Sequence, residues 1–346
     1  MKRPAEGKKR IGVIGAGSWG TALANLLAER DSVDLWVFEE DLFRAMADER
    51  ENKVFLPGVR FAERIRLTRS LEEAFTGKDI LVCALPSHAV REVFSQGQSS
   101  LPEDVLIVSA TKGLESKSHQ TASKVLGEIA GRARKAKIAC LSGPSFAREV
   151  SRQLPTAVAV AGTGPEAARM AQKLFSRPYF RVYTSHEVTG VELGGSLKNI
   201  FAIGTGILDG MGLGNNSRAA VITRGLAEMT RLGARLGANP MTLMGLAGLG
   251  DLVLTCTSPQ SRNFQVGMKL GKGLPLPEIL GGMTEVAEGV KTTRAVHLLA
   301  QRLGVEMPLV DAVYRILYDG LTPREAIKKL MTRELKDELE AMTETW

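Results

Sequence analysis

Three glycines near the start of the chain, Gly15, Gly17 and Gly20, have the spacing of a loop that binds the pyrophosphate of a dinucleotide. In this G-x-G-x-x-G pattern the first glycine permits a tight turn, the second lets the pyrophosphate approach the backbone, and the third lets the next helix pack on the strand. That helix directs its N-terminal N–H groups at the phosphates. Because the loop lies between a predicted strand and a predicted helix, it predicts a dinucleotide site.

Glu39 follows the second predicted strand, about twenty residues beyond the glycine loop. A carboxylate at this place accepts hydrogen bonds from both hydroxyls of the NAD ribose and repels the extra phosphate of NADP. The sequence therefore predicts that NAD is the preferred cofactor and that NADP is a second one. The alternative is that Glu39 is a solvated acid at a helix start.

Lys198 lies on a helical pattern whose same face is otherwise small and apolar. Val191, Gly195, Lys198 and Ala202 stand at i, i+4, i+7 and i+11. An amine on such a face is partly desolvated, which lowers its pKa toward working pH, and Gly195 leaves room beside it. The pattern indicates a lysine for proton transfer, although a lysine that extends to solvent fits the spacing as well.

Short apolar runs must position these residues. They cover 10–14, 33–38, 80–85, 105–110 and 138–141, and each ends in a loop of small, polar or proline residues. Such runs are typical of parallel strands covered by helices on both faces. In open α/β sheets the ligand crevice lies at the carboxyl ends of the strands. We therefore expect an α/β fold with an N-terminal doubly wound, Rossmann-type dinucleotide-binding domain.

Helical spacing replaces the strand pattern after about residue 183, with breaks near Gly210, Pro240, Pro259, Gly271 and Pro323. A length of 346 residues suits two domains. We predict a basic, disordered tail over 1–9, a dinucleotide-binding domain over 10–186, and an all-helical substrate domain over 187–346.

Composition and charge exclude several classes of protein. With 44% hydrophobic and 24% charged residues, the chain is neither disordered nor collagen-like. The formal charge is +7, but no nucleic-acid-binding module accompanies it, so an anionic small substrate explains it better than a nucleic acid. The three cysteines lack metal-ligand spacing, which predicts reduced thiols and no metal site. The absence of a signal segment or of an apolar run of about 20 residues predicts a cytoplasmic protein without membrane insertion.

Eight motifs lie in order along the chain: GAGSWGTALA at 15–24, TKG at 111–113, SGPSFA at 142–147, LKN at 197–199, TRGLAE at 223–228, GLGDL at 248–252, SRN at 261–263 and EG at 288–289. Together they resemble the motifs of bacterial NAD(P)-dependent glycerol-3-phosphate dehydrogenases, from about residue 11 to about residue 323. The resemblance implies reversible reduction of dihydroxyacetone phosphate to sn-glycerol 3-phosphate, with the active site in a cleft between two domains. It also implies a cytoplasmic enzyme, commonly a homodimer, that supplies glycerophospholipid synthesis.

The resemblance also implies roles for individual residues. Lys198 is the implied proton donor and acceptor for hydride transfer at the C2 carbonyl, with Lys112 and Asp251 as the other catalytic residues. The residues implied to bind substrate are Lys112, Gly143, Ser145, Lys198, Asn199, Asp251, Ser261, Arg262 and Asn263. Those expected to contact the cofactor are Gly15, Gly17, Ser18, Trp19, Gly20, Phe38, Glu39, Lys112, Ala147, Arg262, Val286 and Glu288.

Two of these assignments have a chemical argument of their own. Arg262 and Asn263 are the implied phosphate contacts, and an arginine holds a phosphate with a planar, bidentate fork. Asp251 is implied to contact substrate hydroxyls or to orient Lys198, although an acid at a helix start is equally an N-cap. The family often has histidine or arginine where this chain has Phe38 and Glu39, so a basic contact to NADP is missing there.

Two other functions stay open at this point. A dehydrogenase of the same architecture that acts on a β-hydroxyacid would share the glycine loop and the lysine–asparagine pair. Such an enzyme reads a carboxylate, and Arg262 and Asn263 argue against it. A dinucleotide-sensing binding module would need neither Lys198 nor Arg262.

Overall fold

A computed structural model describes residues 8–131, 135–283, 286–335 and 337–338 of the chain. Residues 1–7, most of the predicted basic tail, lie outside the described residues. The strands all lie in the first part of the chain, before residue 186, and from Val188 onward the described regular elements are helical.

The strands are β1 (Arg10–Ile14), β2 (Ser32–Trp36), β3 (Ile65–Thr68), β4 (Ile80–Cys83), β5 (Leu106–Ser109), β6 (Lys137–Ser142), β7 (Thr156–Gly162) and β8 (Phe180–Ser185). They form one sheet in the order β3-β2-β1-β4-β5-β6-β7-β8. All neighbouring pairs are parallel except β6 and β7. The predicted doubly wound fold is therefore confirmed, with the sheet reversing its direction once.

Helices cover both faces of this sheet. They are α1 (Ser18–Ala28), α2 (Glu40–Glu49), α3 (Leu71–Phe75), α4 (Val90–Gln96), α5 (Ala122–Ala130), α6 (Ala147–Ser151) and α7 (Pro165–Phe175). Leu23 of α1 and Phe175 of α7 belong to a core on one face, and Phe94 of α4 and Leu126 of α5 belong to a core on the other. Two covered faces explain why the inner strands are apolar without alternation.

The sequence pattern predicted five strands and missed β3, β7 and β8. The five correspond to β1, β2, β4, β5 and β6, with ends shifted by two residues or fewer. The expectation of parallel strands holds for them, but β7 runs antiparallel to β6. β3 and β8 have only half-buried patterns with exposed polar residues, and β7 consists largely of small residues, so none of them forms a strong apolar run.

The helical part packs around one long central helix. Its elements are α8 (Val188–Gly210), α9 (Gly214–Arg235), α10 (Pro240–Leu243), α11 (Asp251–Thr257), α12 (Arg262–Gly271), α13 (Leu276–Gly281), α14 (Glu288–Leu303), α15 (Pro308–Tyr318) and α16 (Pro323–Met331). Every residue of α8 from Gly190 to Ile203 is buried. Predicted breaks at Gly210, Pro240, Gly271 and Pro323 coincide with helix ends, because glycine often ends helices and proline fits their first turn.

Glycines bring α8 and α12 into backbone contact. A Cβ on Gly206 would lie 2.1 Å from the carbonyl oxygen of Phe264, and one on Gly210 would lie 2.2 Å from that of Met268. In the opposite direction, a Cβ on Gly267 would lie 2.0 Å from the carbonyl oxygen of Ile203. Both helices therefore need glycine at these positions, and their separation is fixed by backbone rather than by side chains.

One stretch, Pro240–Thr257, is long and apolar enough by composition to cross a membrane. It consists of α10, a π-helical turn (Leu246–Gly250) and α11. Leu243, Leu252 and Cys256 in it pack into the core of the helical part. Part of the stretch, 39% of its residues, is buried in the protein.

Candidate active site

Two lysines share one buried carboxylate between the sheet and the helical part. The Nζ of Lys198, in the middle of α8, donates to Oδ1 of Asp251 and to Oγ1 of Thr255, the latter at 2.9 Å. The Nζ of Lys112, in the loop after β5, donates to Oδ2 of Asp251 at 2.8 Å and to the carbonyl oxygen of Gly143 at 3.0 Å. Lys198 is 6% exposed and Asp251 is 0% exposed. The three proposed catalytic residues are thus in direct contact.

Burial changes the proton affinity of Lys198. Loss of solvent lowers the pKa of Lys198 to about 7, the nearby charge of Lys112 acts in the same direction, and Asp251 opposes both. The lowered pKa agrees in direction with the prediction from the helical spacing. The alternative of a lysine that extends to solvent is wrong.

Gly195 has a different role from the predicted one. A Cβ at this position would lie 2.3 Å from Oγ of Ser142 and 3.7 Å from Cγ of Lys112. The space that the glycine leaves is therefore filled by the end of β6, and it is not space beside Lys198. Gly195 lets α8 contact the sheet closely enough for Lys198 and Lys112 to reach the same carboxylate.

The π-helical turn before α11 presents Asp251 to the lysines. A Cβ on Gly248 would lie 1.9 Å from the carbonyl oxygen of Leu243, so the turn requires glycine there. Asp251 is itself the first residue of α11, and its carboxylate bonds to the two lysines, so the N-cap alternative is wrong. Thr255, one turn later, was not predicted; its hydroxyl donates to the Asp251 carbonyl oxygen at 2.6 Å and accepts from Lys198.

A chain of amides connects the starts of α12 and α14 to α8. Asn263 Nδ2 donates to Oδ1 of Asn199 at 2.9 Å, and Asn263 Oδ1 accepts from the N–H of Gly289 at 2.9 Å. Ser261 caps α12 by accepting from the N–H of Phe264 at 3.2 Å. Arg262 Nη1 donates to the carbonyl oxygen of Val286 at 3.2 Å. The residues expected to hold the substrate phosphate therefore lie beside Asn199, the neighbour of Lys198.

The loop after β6, which is expected to bind substrate, is folded on itself. Gly143 has φ +140°, a conformation that favours glycine, and its carbonyl oxygen accepts from Ser145 Oγ at 2.9 Å as well as from Lys112. Ala147 is the first residue of α6. The side chain of Ser142 is buried, and its hydroxyl has no hydrogen-bond partner among the described residues. Ser142 was not predicted, because only the fold brings it to α8.

The glycine loop has the three features that its spacing predicted. Gly15 has φ +114°, and a Cβ there would lie 2.8 Å from the Ala84 carbonyl oxygen. A Cβ on Gly20 would lie 1.9 Å from the carbonyl oxygen of Gly15, so α1 is packed tightly on the loop. A Cβ on Gly17 would meet no heavy atom within 4 Å. Gly17 therefore faces open space at the N-terminus of α1, where a pyrophosphate fits.

The other expected cofactor residues lie at the starts of α1 and α2 and beside Arg262. Ser18 and Trp19 begin α1, and the indole Nε1 of Trp19 is buried without a partner among the described residues. Phe38 is 69% exposed, and Glu39 occupies the N-cap position of α2 without a side-chain bond to that helix. Val286, beside Arg262, is exposed. The donor set, the open glycine and the exposed ring fit a dinucleotide.

Three further contacts join the helical part to the sheet, and sequence reasoning missed them. Ser87, after β4, donates to Oε2 of Glu288 at 2.7 Å, and Oε1 of Glu288 has no partner among the described residues. Gly113 N–H donates to Ser196 Oγ at 2.9 Å. Glu192 Oε1 accepts from the N–H of Ser123 at 2.9 Å, in the first turn of α5. All connect residues far apart in sequence, so spacing could not indicate them.

Metal chemistry has no candidate site in the described part of the chain, where no group of three or more His, Cys, Asp or Glu side chains could hold an ion.

The chain is similar to known proteins of one family along nearly its whole length. The N-terminal family model of NAD-dependent glycerol-3-phosphate dehydrogenases matches residues 10–168, and the C-terminal model matches residues 187–328. Over 331 residues the chain is 52% identical to glycerol-3-phosphate dehydrogenase [NAD(P)+] of Citrifermentans bemidjiense and 53% identical to that of Geobacter metallireducens, covering 95% of this chain and 99% of each relative.

A solved structure has a similar fold. The crystal structure of glycerol-3-phosphate dehydrogenase from Coxiella burnetii superposes with a TM-score of 0.91 at 42% identity, and the match covers 94% of this chain and 99% of that one.

Proposed function

The chain belongs to the NAD-dependent glycerol-3-phosphate dehydrogenase family and is an NAD(P)-dependent oxidoreductase, and from this we propose that it interconverts dihydroxyacetone phosphate and sn-glycerol 3-phosphate. The observation that carries the proposal is the buried amine of Lys198, held by Asp251 and Thr255 opposite Lys112. The β-hydroxyacid dehydrogenase and the binding module lose their support, since the family models match both halves of the chain.

Lys198 moves the proton in the proposed reaction. When bound, the nicotinamide cofactor supplies or accepts the hydride at C2 of the substrate. In the direction of reduction, the ammonium of Lys198 gives its proton to the C2 oxygen, and the hydroxyl of glycerol 3-phosphate forms. In the reverse direction the neutral amine takes that proton. A pKa of about 7 makes both forms available near neutral pH.

Lys112 and Asp251 prepare the site for this transfer. Asp251 holds the two amines at fixed positions, because each of its oxygens accepts from a different lysine. The positive charge of Lys112 stabilises negative charge that develops on the carbonyl oxygen during reduction. Asn199 and the Gly143–Ser145 loop border the same space and hold the substrate carbons and hydroxyls.

Arg262 and Asn263 bind the phosphate of the substrate. They begin α12, where backbone N–H groups at a helix N-terminus favour an anion, and Ser261 precedes them. Arg262 also reaches Val286, so its guanidinium lies between the phosphate site and the cofactor. The expected substrate is therefore a phosphorylated triose.

The cofactor lies across the carboxyl ends of the strands. Gly15, Gly17 and Gly20 with Ser18 and Trp19 hold the pyrophosphate, Phe38 and Glu39 border the adenosine, and Ala147, Val286 and Glu288 contact the rest. The exposed carboxylate of Glu39 favours NADH over NADPH. Family membership also supports a dinucleotide-binding domain over 10–186, a substrate domain over 187–346, a cytoplasmic homodimer, and supply of glycerophospholipid synthesis.

The test follows oxidation of NADH by the purified protein with dihydroxyacetone phosphate. We expect rapid turnover by the wild type and, for Lys198→Ala, a loss in kcat on the order of a thousandfold with NADH binding retained, as for removal of a general acid. Lys78→Ala is the control, because Lys78 is a partly buried lysine that is also paired with a carboxylate, Asp34, but it lies before β4, at the amino ends of the strands.

Near-normal turnover by Lys198→Ala would remove Lys198 from the mechanism. Turnover of a β-hydroxyacid in place of the phosphorylated triose would contradict the proposed substrate. A slower reaction with NADPH than with NADH is the result that the Glu39 argument requires, and equal rates would overturn that argument alone.

A further inference from the structure

A carboxylate joins two arginines at the carboxyl ends of β2 and β3. Oε2 of Glu40 accepts from Nη1 of Arg69 at 3.0 Å, and Oε1 of Glu40 accepts from Nη2 of Arg44 one turn along α2. All three side chains are substantially exposed to solvent. We refer to Glu40, Arg44 and Arg69 as the Glu40 cluster. In this cluster two guanidinium groups share one carboxylate.

The strand register places Arg69 at the same carboxyl ends of the strands as the glycine loop, with β2 between β3 and β1. Ile14 of β1 pairs with Trp36 of β2, and Trp36 pairs with Thr68 of β3, so these residues form one row across the sheet. Beyond this row, β1 is followed by the glycine loop, β2 by residues 37–40 and β3 by Arg69. Trp36 Nε1 donates to the carbonyl oxygen of Arg69 at 3.1 Å, which fixes the backbone of Arg69 beside β2.

The end of the second strand is where a dinucleotide presents its adenosine ribose in this fold, and the 2′-phosphate of NADP extends from that ribose. We propose that Arg44 and Arg69 form the subsite for the 2′-phosphate of NADPH, and that Glu40 occupies this subsite when the cofactor lacks the phosphate. The inference rests on the proposed use of a nicotinamide dinucleotide.

The chemistry favours exchange of the carboxylate for the phosphate. A phosphate monoester has more negative charge and more acceptor oxygens than Glu40, and guanidinium groups hold phosphate oxygens in paired hydrogen bonds. Phe38 and Glu39, where a basic residue is missing, do not supply this contact. The balance between NADH and NADPH then depends on two opposed features, the carboxylates of Glu39 and Glu40 and the guanidinium groups of Arg44 and Arg69.

The two kinds of substitution must therefore act in opposite directions on NADPH. Arg69→Ala is expected to weaken NADPH binding about tenfold, the lower end for a lost hydrogen bond to a charged group, and to leave NADH binding unchanged. Arg44→Ala is expected to have the same sign. Glu40→Gln is expected to strengthen NADPH binding several-fold, because it frees both arginines without removing them.

The experiment measures dissociation constants of the whole protein by calorimetry for NADH, NADPH, 5′-ADP and 2′,5′-ADP, so that no step depends on turnover. The matched control is Arg64→Ala. Arg64 is also an exposed arginine next to β3, but it precedes the strand, at the opposite end from Arg69. It donates to the carbonyl oxygen of Glu29 at 2.9 Å. We expect Arg64→Ala to bind all four nucleotides like the wild type.

Raised ionic strength should weaken 2′,5′-ADP more than 5′-ADP in the wild type, and this difference should shrink in Arg69→Ala. Unchanged NADPH binding in both arginine variants, or an equal loss for NADH and NADPH, would overturn the inference while leaving the proposed function intact. A wild type that binds neither dinucleotide would instead overturn the proposed function, and the inference with it.

Discussion

Asp251 serves two lysines, because one of its oxygens accepts from Lys198 and the other from Lys112. One carboxylate between two ammonium groups leaves a net positive charge in a buried site, which makes loss of a proton from Lys198 easier. The same excess of positive charge suits a substrate that carries a phosphate. Removal of Asp251 would leave two cations without their shared partner, an expensive arrangement in a buried site.

The pH dependence of the two reaction directions should have opposite signs. Reduction needs the ammonium form of Lys198, so its kcat/KM should fall as the pH rises through about 7, whereas oxidation of glycerol 3-phosphate needs the neutral amine and should rise through the same range. Steady-state rates measured from pH 5 to 9 with both substrates test this, a range chosen to span about two pH units on each side of that pKa.

The variant Asp251→Asn tests whether the pH profiles reflect ionisation of Lys198 or ionisation of the substrate phosphate. Since Asp251 is the group that raises the pKa of Lys198 against its burial, the variant should move both profiles to lower pH. A profile that stays in place would show that substrate ionisation, and not Lys198, controls the rate.

The sequence could predict Lys198 because its helix supplies the local pattern of small and apolar neighbours. Thr255 and Ser142 could not be predicted in the same way. Thr255 meets Lys198 across a separation of 57 residues, and Ser142 meets Gly195 only because β6 and α8 pack together. Arg69 is similar, since its place beside β2 depends on β3, which has too few buried residues to be predicted as a strand.

At the scale of elements, α8 is positioned by glycines at which a Cβ would clash with the neighbouring element. Gly194 lies against the π-helical turn, where a Cβ would be 2.4 Å from the Ala247 carbonyl oxygen, while Gly195 lies against β6. Lys198 follows one turn later. The sheet, the turn that bears Asp251 and the helix that bears Lys198 therefore meet at adjacent glycines.

Gly195→Ala should destabilise the protein by about 2 kcal/mol through overpacking, and lower kcat, because the new Cβ meets the Ser142 hydroxyl oxygen at 2.3 Å. Ser142→Ala in the same chain should restore most of both, since Cβ of Ser142 lies 3.5 Å away. Denaturant unfolding and kcat of the single and double variants measure this coupling.

Gly127→Ala is the matched control within a helix. Gly127 lies in α5, where a Cβ meets no heavy atom within 4 Å, so the substitution should be stabilising by roughly 0.5–1 kcal/mol through helix propensity alone. A Gly195→Ala variant that behaves like Gly127→Ala would show that the contact with Ser142 is not tight.

At the scale of the whole molecule, another buried carboxylate joins two helices, α9 and α15. Glu228 of α9 accepts from the N–H groups of Leu309 at 2.7 Å and Val310 at 3.1 Å, in the first turn of α15. Burial raises the pKa of Glu228 from 4.5 to about 7. The residue belongs to the TRGLAE motif, and its contacts give that motif a structural explanation.

Glu228 should make the protein less stable as the pH rises from about 4.5 to about 7, because the unfolded chain releases a proton that the folded chain retains. The free energy of unfolding should fall by on the order of 3 kcal/mol across this window. In Glu228→Gln this contribution of Glu228 should be absent, so the fall should be smaller than in the wild type, as measured by denaturant unfolding at a series of pH values.

Glu325→Gln provides a comparison of opposite sign. Glu325 accepts from Thr322 in the capping box of α16, and this contact lowers the pKa of Glu325, so its stabilisation is lost as the pH falls. If the free energy of unfolding depends on pH in the same way in the wild type and in Glu228→Gln, the raised pKa of Glu228 is contradicted.

The backbone contact between α8 and α12 limits which substitutions can be accepted during evolution. Lys198 lies on one of these helices, and Arg262 begins the other. A lineage that replaced Gly206, Gly210, Gly267 or Gly271 with a larger residue would separate the two helices and so move Arg262, the proposed phosphate contact, away from Lys198, the proposed proton donor. Four positions that bear no side chain therefore set the distance between two proposed functional side chains, and we expect them to be inherited as a set.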